Sequence, residues 1–152
     1  MKRIALLLLL SATLYAASPF RCPYTVTSEF GSMEGRGGER RPCGHTGIDL
    51  WCPDPYIGPA ADGVVVEADI DEIYGKYIII QHTPTMRTKY AHGEIIYDRA
   101  LPGCTVTRSM VIMKMGNTGY SSNDHLHFEV QELIDGEWVA VDPIPLLTEN
   151  NP

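Results

Sequence analysis

The sequence is short of positive charge. It has 12 Lys and Arg residues against 19 Asp and Glu, which leaves a formal net charge of −7. The main basic stretch, residues 36–41, also contains Glu39 and follows Glu34, so its charge is partly balanced. Proteins that bind nucleic acid carry a basic patch as an electrostatic footprint. We therefore expect no nucleic-acid partner.

Long hydrophobic runs are also missing. The longest apolar run spans residues 4–10, which is too short for a transmembrane helix of about 20 residues. Lys2 and Arg3 precede this run and small residues follow it, a pattern typical of a secretory signal peptide. We predict a signal peptide at residues 1–17, export to the periplasm or the cell exterior, and no stable membrane association after cleavage. An uncleaved membrane anchor is the alternative.

Helical periodicity is absent over any stretch of three turns, and there is no internal repeat. Residues 18–43 are rich in Gly, Arg and Pro, which predicts a loop-rich N-terminal segment with one short strand near residues 24–30. The remaining domain, residues 44–152, has short runs rich in β-branched residues at 63–68, 77–82, 87–92, 111–115, 125–133 and 138–141. Asp135-Gly136 separates two of these runs, which favours a hairpin. We predict an all-β fold, a single antiparallel β-sheet domain with long loops at one end.

The sequence has only four cysteines, which is an even number. Cys22, Cys43, Cys52 and Cys104 would meet an oxidising compartment after export. Three pairings are possible, and the sequence alone does not choose among them. We favour Cys43 with Cys52, because they bracket a His45/Asp49 segment, and this leaves Cys22 with Cys104. A zinc–thiolate site using Cys43, His45 and Cys52 is the alternative, but it lacks the usual C-x-x-C spacing.

The histidines are the residues best suited to chemistry. A zinc ion in a hydrolase is held by three His, Asp or Glu ligands, with a fourth position left for water. His45 and Asp49 would lie about 13 Å apart on an extended strand, so they can share an ion only if the chain bends, and Gly47 allows a bend. His125 and His127 share one face of a predicted strand, so one can bind metal while the other transfers protons.

Two further histidines lie on predicted strands. His92 follows Tyr90 at a spacing of two, which predicts that both side chains occupy the same strand face. His82 ends a strand just before a Pro84 turn, and we interpret it as a structural hydrogen-bonding residue.

Taken together, the motifs resemble the lysostaphin/LytM-type zinc metallopeptidases, which cut the peptide part of peptidoglycan. The resemblance covers residues 30–130 or so and rests on these motifs in this order: Gly44-His45-Thr46-Gly47-Ile48-Asp49-Leu50, Tyr90-Ala91-His92, Gly116-Asn117-Thr118-Gly119 and His125-Leu126-His127-Phe128-Glu129. It implies a β-sheet domain with long loops around a zinc groove. It also implies that His45, Asp49 and His127 bind Zn²⁺ and that His92 and His125 are catalytic.

The chain departs from the family pattern at several positions. Gly93 stands where the family usually has leucine. Ser109, Met113 and Asn123 stand where it usually has glycine, and Asp124 where it usually has proline. Because Asn123 and Asp124 border the substrate groove in this family, they bear on substrate preference more than on catalysis.

The resemblance implies a zinc-dependent endopeptidase that hydrolyses peptide bonds in bacterial peptidoglycan, with peptide stems or cross-bridges as its partners. Which of these bonds is cut does not follow from the sequence. One alternative is a catalytically silent wall-binding module that activates another cell-wall hydrolase. Another is a lectin-like wall-binding β domain. The complete set of five site residues favours the enzyme over both alternatives, and the lack of a coiled-coil arm argues further against the activator.

Overall fold

A computed structural model of the chain describes residues 18–35, 38–39 and 41–147. The predicted signal peptide at residues 1–17 lies outside these residues, so it stays a prediction. No helix within the described ranges is long and apolar enough to cross a membrane.

Almost all regular structure in the described residues is β. Ten strands join in one sheet: β1 (Thr25–Ser28), β2 (Ile48–Trp51), β3 (Tyr56–Ile57), β4 (Gly63–Asp71), β5 (Gly75–Thr83), β6 (Met86–Ile96), β7 (Thr105–Val106), β8 (Met113–Met115), β9 (Leu126–Ile134) and β10 (Glu137–Val141). The helical elements there are a 3₁₀ turn at Asp98–Ala100 and the four-residue α1 (Ile144–Leu147). The predicted all-β class is confirmed.

Strand β9 lies inside the sheet and organises it. The strand order is β1-β2-β9-β6-β5-β4-β7, and each pairing is antiparallel. Because successive side chains on a strand point to opposite faces, the register across β2, β9 and β6 produces two kinds of row. Ile48, Phe128 and Tyr90 form a row on one face, whereas Asp49, His127 and Ala91 form the adjacent row on the other.

The first face carries the main hydrophobic core. Its largest fully buried side chains include Tyr90, Phe128, Ile48, Leu50, Ile78, Ile80 and Leu126. Complete burial of a side chain of this size contributes about 1.5–3 kcal/mol relative to an exposed position. This face therefore stabilises the sheet on which the second face is built.

Two local predictions are confirmed. Asp135 and Gly136 have φ of 51° and 85° between β9 and β10, the positive values that a two-residue type I′ hairpin requires. His82 makes structural hydrogen bonds, with Nδ1 2.9 Å from the Asp62 carbonyl oxygen and Nε2 2.7 Å from Thr88 Oγ1.

The favoured disulfide pairing is wrong. Cys22 bonds to Cys52, with their Cα atoms 6.6 Å apart, while Cys43 and Cys104 are free thiols. The cause is the β1–β2 pairing, in which Thr25 lies opposite Trp51. Cys22 precedes the start of β1 and Cys52 follows the end of β2, so the antiparallel register brings them to the same end of this pair. The disulfide also removes Cys52 from any zinc–thiolate site.

Candidate metal centre

Strand register brings together two residues that are far apart in the sequence. Asp49 on β2 lies directly opposite His127 on β9. His45 stands just before β2 and turns back toward the same point. All three side chains belong to residues less than a tenth exposed. The structure therefore unites the three residues that the sequence predicted as metal ligands.

Their polar atoms form a small triangle. His45 Nε2 lies 2.9 Å from His127 Nδ1 and 3.1 Å from Asp49 Oδ1, and His127 Nδ1 lies 3.0 Å from Asp49 Oδ1. Tetrahedral zinc with bonds of about 2.0–2.1 Å would separate its ligand atoms by about 3.3 Å. The triangle is close to this size.

The outer nitrogen of each of these two imidazoles is held by an oxygen acceptor. His45 Nδ1 lies 3.0 Å from the Glu29 carbonyl oxygen, and His127 Nε2 lies 2.9 Å from Glu129 Oε1. Because these oxygens accept, the ring hydrogens belong on those nitrogens, and in the neutral rings the lone pairs face the triangle. Two lone pairs and a carboxylate at this spacing repel one another unless a cation or extra protons lie between them. The donor set therefore fits a divalent metal ion.

The bend predicted between His45 and Asp49 is present, at residues 46 and 47, and Gly47 makes it without a positive φ. Gly47 has a second role that the sequence did not predict. A Cβ at this position would clash with the Phe128 carbonyl oxygen and would lie 2.9 Å from Glu129 Cγ. Glycine is required because the His45 segment passes directly against β9.

His92 is also placed differently from the prediction. Tyr90 points into the core, whereas the His92 ring lies beside His125, with ring centroids 4.7 Å apart. The expected alternation fails because His92 has φ of 64° and the β5–β6 register shifts near this point. A positive φ is uncommon for a residue other than glycine and is often found at functional sites. The Tyr74 carbonyl oxygen, 2.8 Å from the His92 backbone nitrogen, helps to hold this conformation.

His92 and His125 share one pattern of support. His92 Nδ1 lies 2.8 Å from the Thr118 carbonyl oxygen, and His125 Nδ1 lies 2.8 Å from the Asn123 carbonyl oxygen. Each Nδ1 hydrogen is therefore donated to the backbone, and each neutral ring keeps a lone pair on Nε2. His125 Nε2 lies 3.6 Å from Asp49 Oδ1, which directs it toward the triangle. Hydrogen bonds to the backbone thus fix the orientation of both rings.

Burial and neighbouring groups shift the pKa values of two site residues, Asp49 and His92. Burial alone would raise the pKa of the Asp49 carboxyl, but the adjoining imidazoles of His127 and His45 hold it well below its usual range. Burial, together with the nearby His125, lowers the pKa of His92 to about 4. Asp49 is therefore ionised and His92 neutral near pH 7, so the site combines a carboxylate anion with an imidazole that can accept a hydrogen bond.

The triangle opens into a groove of about 1870 Å³. Loops supply much of its lining, chiefly from residues 29–35 and 41–46 and from the loop before β9. Asn123 and Asp124, which the family resemblance places at the border of the groove, both line it, as do Tyr74 and Tyr120. The Tyr120 hydroxyl also hydrogen-bonds Glu39, another residue of the lining.

Sequence reasoning missed the residues that support the histidines. Glu129 contacts His127, and the backbone of Glu29, Thr118 and Asn123 anchors the other rings. Strand alternation from His127 could have placed Glu129 on the same face. The backbone acceptors have no sequence signal, because every residue carries a carbonyl.

An antiparallel sheet with a buried His-Asp-His cluster, two adjacent histidines and an open groove defines a metallohydrolase-type site. The chain belongs to peptidase family M23, whose family model matches residues 43–143.

A curated relative agrees with this assignment. The peptidoglycan DD-endopeptidase ShyA of Vibrio cholerae is 31% identical over 113 residues, which cover 74% of this chain and 26% of the relative. The chain spans about a third or less of the first curated relatives it matches.

Solved structures share the fold. A zinc-containing peptidase from Vibrio cholerae has a TM-score of 0.66 at 26% identity, covering 84% of this chain and 38% of that one. The catalytic domain of the antimicrobial peptidase lysostaphin from Staphylococcus simulans has a TM-score of 0.69 at 25% identity. The match covers 83% of this chain and 93% of the lysostaphin chain. The predicted lysostaphin/LytM-type fold and family are confirmed.

Proposed function

We propose that this protein is a zinc-dependent endopeptidase that hydrolyses peptide bonds in peptidoglycan. The observation that carries the proposal is the triangle of His45, Asp49 and His127 beside the paired rings of His92 and His125. Membership of a peptidase family and the similarity to ShyA support the reaction and the substrate class.

Under this proposal His45, Asp49 and His127 hold the metal. Two nitrogens and one carboxylate oxygen are a donor set that zinc hydrolases use. The ion, when bound, supplies Lewis-acid chemistry and lowers the pKa of water from about 15.7 toward 7. The protein contributes the negative charge of Asp49 and two rings that are already oriented by hydrogen bonds, so little reorganisation accompanies binding.

His92 and His125 are the proposed proton-transfer residues. Each donates Nδ1–H to a backbone carbonyl, which leaves the lone pair of the neutral ring on Nε2, and His125 Nε2 lies 3.6 Å from Asp49 Oδ1. One ring takes a proton from the attacking water, and the other stabilises the oxyanion before a proton passes to the leaving amine. Two rings in contact can divide these tasks without either having to move far.

The groove suits an extended peptide. Strand β1 is an edge of the sheet, and Val26, Thr27 and Ser28 line the groove. An extended chain can gain main-chain hydrogen bonds along such an edge. Peptide stems or cross-bridges of peptidoglycan are therefore the proposed substrates, and the proposed site of action is the periplasm or the cell exterior.

The test is to incubate the zinc-loaded protein with purified peptidoglycan of several chemistries. We expect soluble muropeptides with new amino groups and no new reducing sugar ends. A chelator should abolish release, and added zinc should restore it. Asp49→Asn, which keeps the volume of the side chain, is the matched negative control.

The opposite outcome has a defined meaning. If the zinc-loaded protein releases no muropeptides from any wall chemistry, but binds the wall or stimulates a separate hydrolase, then it is a catalytically silent binding module. New reducing ends would instead indicate cleavage of the glycan strand, which contradicts the proposal.

A further inference from the structure

Glu129 is a buried carboxylate that the proposed reaction does not use. Its residue is only 1% exposed and lies on the site face of β9, two positions from His127. A buried charge is costly unless it is paired and fully hydrogen-bonded. Its contacts therefore reveal what this carboxylate does.

One carboxylate oxygen collects three hydrogen bonds. Glu129 Oε1 lies 2.9 Å from His127 Nε2, 2.6 Å from Thr46 Oγ1 and 3.2 Å from the Tyr74 hydroxyl. Thr46 and Tyr74 can donate their hydroxyl hydrogens to a carboxylate, which only accepts. This oxygen is thus directed at the His127 ring.

The second oxygen is anchored separately. Gln131 Nε2 lies 2.5 Å from Glu129 Oε2, and Lys89 Nζ lies 4.0 Å away from it. With both oxygens held, the carboxylate has one orientation.

We propose that Glu129 is a positioning residue that fixes the His127 ring for metal binding by accepting its Nε2 hydrogen. With that hydrogen held at Nε2, the neutral ring presents its Nδ1 lone pair to His45 Nε2 and Asp49 Oδ1, 2.9 and 3.0 Å away. The inference rests on the proposed function, because it treats His127 as a metal ligand.

Thr46 extends this role to the first motif. It stands next to His45 in the chain, and its hydroxyl binds the same carboxylate oxygen as the His127 ring. Glu129 therefore links the His45–Asp49 segment to β9 as well as orienting one ring. This explains why a threonine between a histidine and a close-packed glycine matters to the site.

The test measures zinc affinity by competition with a chromophoric chelator. A residue that hydrogen-bonds the outer nitrogen of a metal-binding histidine is worth about 10–100-fold in metal affinity, and we expect Glu129→Ala to lose that much. Glu129→Gln should recover part of the loss, because its amide oxygen can still accept from Nε2–H. Thr46→Val should show a smaller loss than Glu129→Ala.

Thr88→Val is the matched control for Thr46→Val. It removes a buried hydroxyl from the neighbouring strand β6, but the hydrogen bonds of the Thr88 side chain go to His82 and Tyr90 rather than to Glu129 or His127. Its zinc affinity should stay close to that of the unmodified protein. In NMR spectra, the His127 Nε2–H proton should be protected from exchange in the unmodified protein and in Thr88→Val, and should disappear in Glu129→Ala.

The outcomes separate this inference from the function on which it rests. If the unmodified protein binds no zinc, both are overturned. If it binds zinc and Glu129→Ala binds equally tightly, only the positioning role is wrong. Should Glu129→Ala fail to fold, Glu129→Leu fills the space without an acceptor, and an unchanged zinc affinity there would equally overturn the role.

Discussion

The two faces of strand β9 are equally closed to solvent but differ in chemistry. Residues 126–131 are all buried; Leu126, Phe128 and Val130 face the core, and His127, Glu129 and Gln131 face the site. The apolar face needs only close packing, because its side chains have no hydrogen bonds to satisfy. The polar face needs a partner for each group, and every buried side-chain nitrogen and oxygen among the described residues has one. One strand can thus be stabilised from one side and perform chemistry on the other.

The difference between the faces predicts a separation of effects. Changes on the site face should remove metal or activity while the sheet survives, because the core row is untouched. Changes on the core face should lower the free energy of unfolding before they alter the site. The experiments below test this separation, starting from the largest expected effect.

The largest effect, a loss of zinc binding, is expected when a residue of the His45–Asp49–His127 triangle is replaced. His45→Ala and Asp49→Ala should lose zinc binding, because two remaining donors do not make the three-ligand site that zinc hydrolases use. Metal content of the purified variants, measured by atomic emission after dialysis, checks this. Circular dichroism should still show the native β spectrum. Full zinc occupancy in both variants would contradict the ligand assignment.

His92→Ala and His125→Ala should retain zinc and lose about 10²–10⁴-fold in peptide hydrolysis, the usual contribution of an acid–base group. Turnover of a defined muropeptide and metal content should be measured on the same samples. Loss of zinc in either variant would mean that a ligand and a catalytic residue have been exchanged. Near-normal turnover would remove that residue from the mechanism.

On the core face, Phe128→Ala should cost about 3–5 kcal/mol in the free energy of unfolding. The ring is fully buried and packs against Tyr90 at a centroid distance of 5.4 Å. Urea denaturation gives the value, with Phe128→Leu as the milder control. A loss of less than about 1 kcal/mol in the free energy of unfolding would mean that the apolar row contributes little to the stability of the sheet, since core truncations of this kind cost several times more.

A smaller effect concerns two departures from the family pattern. A Cβ on Gly93 would lie 2.7 Å from Met113 Sδ, so a small residue on β6 faces a large one on β8 where the family usually has the reverse. Gly93→Leu alone should overpack this site and cost about 1–3 kcal/mol. Adding Met113→Gly should recover part of that cost, giving a coupling energy of about 0.5–3 kcal/mol. Strictly additive urea-denaturation values would show that the two positions are independent.

The smallest effect is a pH dependence remote from the groove. Burial is the main cause that lowers the pKa of His82, so the folded state favours its neutral ring. The stability from this group is present above about pH 6.5, the ordinary histidine value, and is lost as the pH falls through the lower folded-state value. His82→Gln should flatten the acid side of a plot of melting temperature against pH. An unchanged slope would assign the acid sensitivity to other groups.

Much of the fold could be predicted because its signals are local. The β-branched run before His82 and the Asp135-Gly136 turn each depend on a few adjacent residues, and both formed as predicted. The five residues predicted for the candidate site lie together in the structure, and their roles stay predictions. The family motifs carried that result, since no single spacing did so alone.

The errors share a different cause. The Cys22–Cys52 bond and the face of His92 both depend on how separate strands pair. The sequence also did not reveal that Gly47 lies in close contact with Phe128 and Glu129. In each case the deciding neighbour is distant along the chain.

By itself, the sequence determined most of the strands, the alternation along most of their length and the donor types available for a metal. These follow from backbone geometry and side-chain chemistry within a few residues. Only the tertiary structure decided which donors meet, because Asp49 and His127 are separated by 78 positions and become neighbours only through the β2–β9 register. It also decided that a buried glutamate two residues from a ligand would orient that ligand, because the two hydroxyls that hold Glu129 come from Thr46 and Tyr74, both distant from it along the chain.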